Sequence, residues 1–466
     1  MPKARTESAV SPEAALAAAV RKLRRGSVLV VGDAMLDRYV YGRVSRVSPE
    51  APVPVMAIER ETALPGGAAN VVRNLTALGA AVAFVSVVGD DQAGSDLTGL
   101  IGGQPGIEPW LLVQGGRATT TKTRFVAAGQ QMLRADHETA GPIHPRLADR
   151  LVRIATDAMA ATRAVVLSDY RKGVLVGDVA QRLLQLARKA GRAVVVEPRG
   201  GDLERFAGAD VIIPEPDELA AATGMVLHNA ADIARAAELL CVTHGFGAVL
   251  VPRATDGLTL AQAGHPVRHI RAEASDADDP AGAGDAVVAV MAACLAAGLP
   301  VGQAAELAAV AMGVVTRKAG IALVRDDELL EALTPGFHAR HKLVSLPFAS
   351  GVAERWRHRG WRVGLLHLQA AAAAKWSPLL MEQAREWCDR LVVCICDEAG
   401  QALADWPMVD LVAHCDGRPN DEMLRLFRPD VLVHGPQAVP LGLDDENLLA
   451  EWGGALRRAS QQEAAE

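Results

Sequence analysis

Asp279-Pro-Ala-Gly-Ala-Gly-Asp285 places small residues and a carboxylate directly before the apolar run AVVAVMAACLAAG. Glycines let backbone N–H groups converge on a phosphate, and a helix N-terminus adds its positive end. Gly282, Ala283 and Gly284 are therefore a candidate anion hole. A carboxylate at such an entrance makes chemical sense if it takes the proton of an attacking hydroxyl, which makes Asp285 the candidate base. The plainer alternative is a helix cap over a tight turn.

Two further clusters carry the same kind of chemistry. Leu64-Pro-Gly-Gly-Ala-Ala-Asn70 runs into VVRNLTALGA. Gly66 and Gly67 leave room for a polyhydroxylated ligand, and the Asn70 amide both donates and accepts; a loop-to-helix cap is the competing reading. Gly32-Asp33-Ala-Met-Leu-Asp37 follows the β-branched run 27–31. Carboxylates at the end of a first strand fall where ligands of open α/β sheets sit. Asp33 and Asp37 are thus candidates for gripping hydroxyls, against a turn Asp and a surface Asp.

The elements that must position these groups alternate. Ser27–Val31, Val82–Val88, Ala164–Leu167, Ala193–Val196, Val211–Ile213 and Ala248–Val251 read as strands. Pro145–Thr162, Val179–Lys189, Ala230–Cys241 and Val301–Ala319 read as helices. The fold class is α/β, a mostly parallel sheet covered on both faces. Tyr39–Glu61 and Arg117–Glu138 break the rhythm and read as a small β-flap able to cover a site. Residues 1–26 form an N-terminal extension, 27–335 the main domain, 336–358 an aperiodic linker, and 359–466 a second, smaller α/β domain. Its strand candidates are Val363–Leu366, Leu391–Ile395, Leu411–Ala413 and Val431–Val433, and its tail after Trp452 reads as a frayed helix.

Composition narrows the classes. Half of the 466 residues are hydrophobic and 4% aromatic, which favours close-packed α/β layers. A net charge of −7 argues against a broad nucleic-acid surface. The six cysteines form no Cys-x-x-Cys pair and read as buried reduced thiols. The N-terminus lacks a signal-peptide core, and no run is apolar enough to span a bilayer, so a cytoplasmic protein with no membrane partner is expected.

With VLVVGDAMLDRYVYGRVSRVSPEAPVPV, LPGGAANVVRNLTALGA, QQMLRAD, VVLSDYRKGVL and DPAGAGD in this order, the chain resembles the ribokinase-like (PfkB) carbohydrate kinases. Within them it is most similar to the bifunctional heptose enzymes of lipopolysaccharide-core synthesis. The resemblance implies a ribokinase-like fold, ATP and Mg²⁺, a phosphorylated sugar as acceptor, and a homodimer joined through the flap. It implies phosphorylation of D-glycero-β-D-manno-heptose 7-phosphate at the anomeric hydroxyl, with Asp285 as base over the hole Gly282–Gly284. Asp33, Asp37, Gly66, Gly67 and Asn70 would hold the sugar, and Asp169 and Lys172 would line the site. Arg46, Lys122, Arg124 and Arg134 are candidates for the distal phosphate, each against a surface salt bridge. Glu215, Glu218, Arg253, Asp256 and Gly257 would face the nucleotide, with Glu218 also at the metal.

The chain departs from that pattern in places. Glu215 stands where relatives carry Asn, Glu197-Pro198-Arg199-Gly200 replaces Asp-Pro-Lys-Gly, and Pro252 replaces a Thr. An added carboxylate repels phosphates unless a cation bridges them. In the second domain, which resembles the cytidylyltransferases, Ala374-Lys375-Trp376-Ser377 stands where a His-x-Gly-His turn belongs. RPDVLVHG carries His434 for a Lys, and a basic loop is missing. The expectation is a nucleotidyltransferase fold kept without adenylyl transfer.

Overall fold

The computed structural model describes residues 12–459 apart from 129, 140, 273–281, 319–321, 335–341, 358–359, 369–377, 396–399, 416–418, 436–437 and 443. The chain divides into two compact units, Met1–Leu333 and Thr334–Glu466.

The first unit is built on a nine-stranded sheet. Its order is Arg268–Ile270, Leu258–Gln262, Ala248–Pro252, Val211–Ile212, Ala193–Glu197, Ala164–Ser168, Ser27–Gly32, Ala81–Gly89 and Ile107–Gln114. The strands are parallel except at the edge formed by Leu258–Gln262 and Arg268–Ile270. Val-rich runs such as Val28–Val31 and Val194–Val196 are buried on both faces, as a covered parallel sheet requires. Alternate side chains feed two separate cores, with Val28, Val30 and Val166 in one and Leu29, Val31 and Val165 in the other. The helix Ala283–Ala296 has buried residues on every side, so hydrophobicity all round marks it as a core helix. Register fixes the site: Gly32 lies opposite Ser168, and Ser168 opposite Glu197, so three strands end at one level.

The flap is a four-stranded sheet in the order Pro54–Gly67, Ala34–Val47, Thr121–Ala127, Gln130–His137. Its long strands begin and end at the motifs themselves, with Ala34 paired to Gly67 and Asp37 to Leu64. The N-terminal extension is part of the fold from Pro12 onward. The helix Pro12–Leu23 buries Leu16, Val20 and Leu23, and the exposed Arg24 that follows it pairs with Asp326 at 2.6 Å.

The second unit has six parallel strands in the order Leu343–Ser345, Leu411–His414, Arg390–Ile395, Val363–His367, Val431–His434, Ala455–Arg458. Two expectations need correction here. The expected linker 336–358 contains the strand Leu343–Ser345 and the helix Leu346–Arg357, which buries Leu346, Ala349 and Ala353. Small alanines make a weak apolar stripe, so its helical period is faint in sequence. The tail forms an edge strand, Ala455–Arg458, paired with Val431–His434, and not a helix. The thiols of Cys241, Cys294, Cys388 and Cys394 are free and buried, but Cys415 is disulfide-bonded, contrary to the expectation of reduced thiols throughout. Among the described residues no helix is long and apolar enough to cross a membrane.

Candidate active site

Asp285 lies in the first turn of the helix Ala283–Ala296, with Gly282 at the N-cap in the left-handed region at φ 86°. The rest of the expected hole shares that turn, while Asp279 lies outside the described residues. Asp285 is 8% exposed. Its Oδ2 accepts from Asn70 Nδ2 at 2.5 Å, and its Oδ1 accepts from the Tyr170 hydroxyl at 2.8 Å. Three distant segments therefore meet on one carboxylate: the helix after Gly67, the loop after Ser168, and the helix after Gly282.

Tyr170 also lies 3.1 Å from Glu197 Oε1. One phenolic hydrogen cannot serve both carboxylates, so the cluster favours an extra proton. Burial first, and the Glu197 carboxylate second, push Asp285 up to about 7. That value suits a base working near neutrality. Burial beside Asp285 and Glu197 raises the Tyr170 phenol well above its ordinary range, so it stays a donor. Arg199 offsets the carboxylates: its Nη2 reaches Glu197 at 3.2 Å and the Tyr170 oxygen at 3.4 Å, with its cation over the Tyr170 ring.

Glu215 borders the hole, since a Cβ on Gly284 would sit 3.5 Å from Glu215 Oε1. Glu215 and Glu218 form a reciprocal capping box on the helix Pro216–Thr223. Glu218 accepts from the Glu215 N–H at 2.8 Å and the Gly200 N–H at 3.2 Å. Burial is the main cause raising both carboxyls, and Arg199 opposes it. Arg199 Nη1 lies 3.9 Å from Glu218 Oε1; beside that cation the two carboxyl groups offer the oxygen atoms that a hard divalent cation takes as ligands. Arg253, Asp256 and Gly257 make the turn after Ala248–Pro252. Arg253 N–H donates to Gly257 O at 2.7 Å and its Nη2 to Asp256 O at 3.1 Å. Gly257, at φ 100°, has no room for a Cβ against Ile270 O.

The expected sugar residues separate into two groups. Asp37 is buried close to Gly66, where a Cβ would strike its Oδ2, and its Oδ1 pairs with Arg124. Gly67, at φ 56°, has Asp33 O where a Cβ would go. Asp33 and Asp169 differ from expectation. Both Asp33 oxygens are engaged by backbone, accepting from Tyr170 and Lys172 N–H at 2.9 Å and from Val174 N–H at 3.0 Å. Burial raises Asp33, while those amides and Arg117 pull it back. Asp169 is fully buried in an ion pair with Arg205. Both shape the loop that delivers Tyr170. Lys172, on the same loop as Tyr170, pairs with Glu138 at the end of the flap strand Gln130–His137.

Three of the distal-phosphate candidates lie together on the flap strands Thr121–Ala127 and Gln130–His137, with Arg124 opposite Arg134. Lys122 and Arg134 both pair with Asp136 at 3.0 Å. Arg46 is exposed nine residues beyond Asp37, about 30 Å along an extended strand. Sequence reasoning missed Tyr170 as the donor to Asp285, although SDYRKG at a strand end was its signal.

Residues 25–327 match the family model for pfkB family carbohydrate kinases. The chain belongs to that family. This kinase is 50% identical over 462 residues to the bifunctional protein HldE of Acidiphilium cryptum, covering 95% of each chain. It is 42% identical to that of Paramagnetospirillum magneticum, again over 95% of each. Among solved structures, Escherichia coli phosphofructokinase-2 in complex with potassium superposes with a TM-score of 0.55 at 17% identity, over 66% of this chain and 98% of that one. Arabidopsis thaliana ribokinase complexed with ribose and ATP gives 0.53 at 19%, over 66% and 99%. These likenesses establish the ribokinase-like fold. ATP use as a sugar kinase follows from the family.

Proposed function

We propose that this kinase moves the γ-phosphoryl group of ATP onto the anomeric hydroxyl of D-glycero-β-D-manno-heptose 7-phosphate, giving the 1,7-bisphosphate. The observation that carries the reading is the 50% identity, over 95% of both chains, to a bifunctional HldE protein. Asp285 takes the hydroxyl proton as the new bond to phosphorus forms, held in aim by Asn70 and Tyr170. Backbone N–H groups at Gly282–Gly284 face the charge on the transferring group. Glu218 and Glu215 would hold Mg²⁺, which supplies charge neutralisation on the phosphates.

We further infer that the second unit has lost adenylyl transfer. Ala374–Ser377, outside the described residues, offers no imidazole where the relatives place two. The His367 ring is tied to Asn420 Oδ1 at 3.0 Å, so it is not a replacement. The reading includes a cytoplasmic location and a homodimer through the flap, whose Val44, Val47, Val53, Ile58, Met132 and Leu133 are exposed.

The test is phosphate transfer from Mg-ATP to heptose 7-phosphate by wild type and Asp285→Asn. Wild-type turnover that falls ~10²-fold or more in the variant supports the reading. Absence of wild-type turnover defeats the acceptor assignment. Formation of an ADP-sugar from heptose 1-phosphate and ATP would overturn the loss in the second unit.

A further inference from the structure

Among the described partners of Asp285, one can pass a proton. Asn70 Nδ2 holds Oδ2 at 2.5 Å, and Arg73 Nη1 donates to Asn70 Oδ1 at 3.1 Å, which fixes the amide with its nitrogen toward the base. An amide N–H orients a carboxylate and keeps its hydrogen. The other carboxylate oxygen, Oδ1, faces the Tyr170 hydroxyl at 2.8 Å, and a hydroxyl both donates and accepts.

Behind Tyr170 stands Glu197. Its Oε1 lies 3.1 Å from the phenolic oxygen, and its Oε2 accepts from Ser168 Oγ at 2.8 Å. Glu197 is 1% exposed and Ser168 is fully buried. A carboxylate so placed is costly unless it is paired, and Arg199 Nη2 offsets it at 3.2 Å from Oε1. An ion pair alone needs no phenol in contact with both carboxylates. Asp285, Tyr170 and Glu197 form a continuous chain of oxygens, spaced 2.8 and 3.1 Å. Hydrogens can move along such spacings without displacing a side chain.

We propose that Tyr170 passes a proton between Asp285 and Glu197, so that Glu197 stores the proton which the base takes from the acceptor hydroxyl. The proposal goes beyond the reading above and rests on its assignment of Asp285 as base. In the forward step the sugar O–H bond breaks, its electron pair makes the new bond to phosphorus, and the proton joins Asp285. That proton then moves to the Tyr170 oxygen as the phenolic hydrogen moves to Glu197 Oε1. One O–H bond is lost at the sugar and one is gained at Glu197, while Asp285 and Tyr170 end as they began. The negative charge that leaves Glu197 reappears on Asp285. Arg199 stands beside Glu197 and Tyr170 and acts on Asp285 as well, so the charge stays near one cation throughout. Glu197 is sealed from solvent, so its proton returns by the same path after the product leaves.

The experiment is single-turnover phosphoryl transfer by the full chain, on the alkaline plateau of the pH profile, over a panel of sugar monophosphates that includes heptose 7-phosphate. Wild type is compared with Tyr170→Phe, Glu197→Gln and the double variant. Each single variant slows the step ~10-fold or more, less than the ~10²-fold or greater loss of the base itself. KM for ATP and acceptor stays within about twofold, and the double variant is no slower than the slower single, as for groups that act as one unit. The wild-type rate plotted against the D₂O fraction curves, because two hydrogens move together, and the plot becomes straight in Tyr170→Phe. A wild-type rate in Glu197→Gln overturns the relay even if its pH profile moves, and so do losses that multiply in the double variant. A slow step in Tyr170→Phe alone makes Tyr170 a positioning donor and also overturns it. If another sugar phosphate turns over in place of heptose 7-phosphate, the acceptor reading fails and the same variants decide the relay on that sugar. If none turns over, there is no hydroxyl proton to store and the relay falls.

Discussion

The two units solve the same architectural problem and end their strands differently. Each has a parallel sheet whose central strands are buried Val, Leu and Ile. In the first unit, strand ends lead into Asp33, Ser168 and Glu197, and the loops beyond them bring Tyr170 and Asn70 onto Asp285. The resulting cluster is short of protons and leaves a carboxylate poised to accept one. In the second unit the comparable end holds His367, tied to Asn420, whose amide in turn donates to Asp445 at 2.6 Å. That network satisfies itself. Apolar strands suffice to keep a fold, whereas chemistry depends on a few polar groups left incompletely matched.

The comparison can be broken at its strongest joint. Asp33→Ala removes the acceptor of three backbone N–H groups, and we expect a loss of about 2–4 kcal/mol in denaturant unfolding, with a fall in kcat as Tyr170 loses its position. Full stability with unchanged kcat would show that Asp33 does not hold the loop. A smaller effect sharpens the proton argument. Since the base works ionised and Asp285 is raised to about 7, kcat/KM rises with pH and levels above that value. Glu197→Gln removes a carboxylate that disfavours ionisation, so the acid limb moves to lower pH; a limb that stays in place removes Glu197 from the explanation. The smallest expected effect is in the other unit. His367→Ala leaves kinase kcat unchanged within about twofold and lowers the stability of the second unit by ~1 kcal/mol, the cost of one hydrogen bond. A large kinase defect would mean that the second network serves the first unit's chemistry.

Much of this was legible in sequence for a physical reason. Runs such as Val28–Val31 and Val194–Val196 are buried on both faces, so they need no alternation and stand out as short β-branched blocks. Asp285 was legible because a glycine loop, an acid and a helix occur together. The roles of Asp33 and Asp169 were not. A carboxylate at a strand end looks the same whether its oxygens face a ligand or the amides of Tyr170, Lys172 and Val174. The Asp169–Arg205 pair joins residues that only the fold brings together. Leu343–Ser345 and Ala455–Arg458 were missed because three or four residues are too few to display a period.

Asp33 also bears on the order in which the molecule becomes competent. It lies 141 positions before Val174, whose amide it accepts. A nascent chain must complete the strands Ser27–Gly32 and Ala164–Ser168, side by side, before that loop has anything to hold it. Closing so long a segment is slow, and its reward arrives only once the sheet is joined. The loop therefore borrows its rigidity from the global fold: the amides of residues 170, 172 and 174, though outside any strand or helix, should exchange with solvent as slowly as the central sheet does.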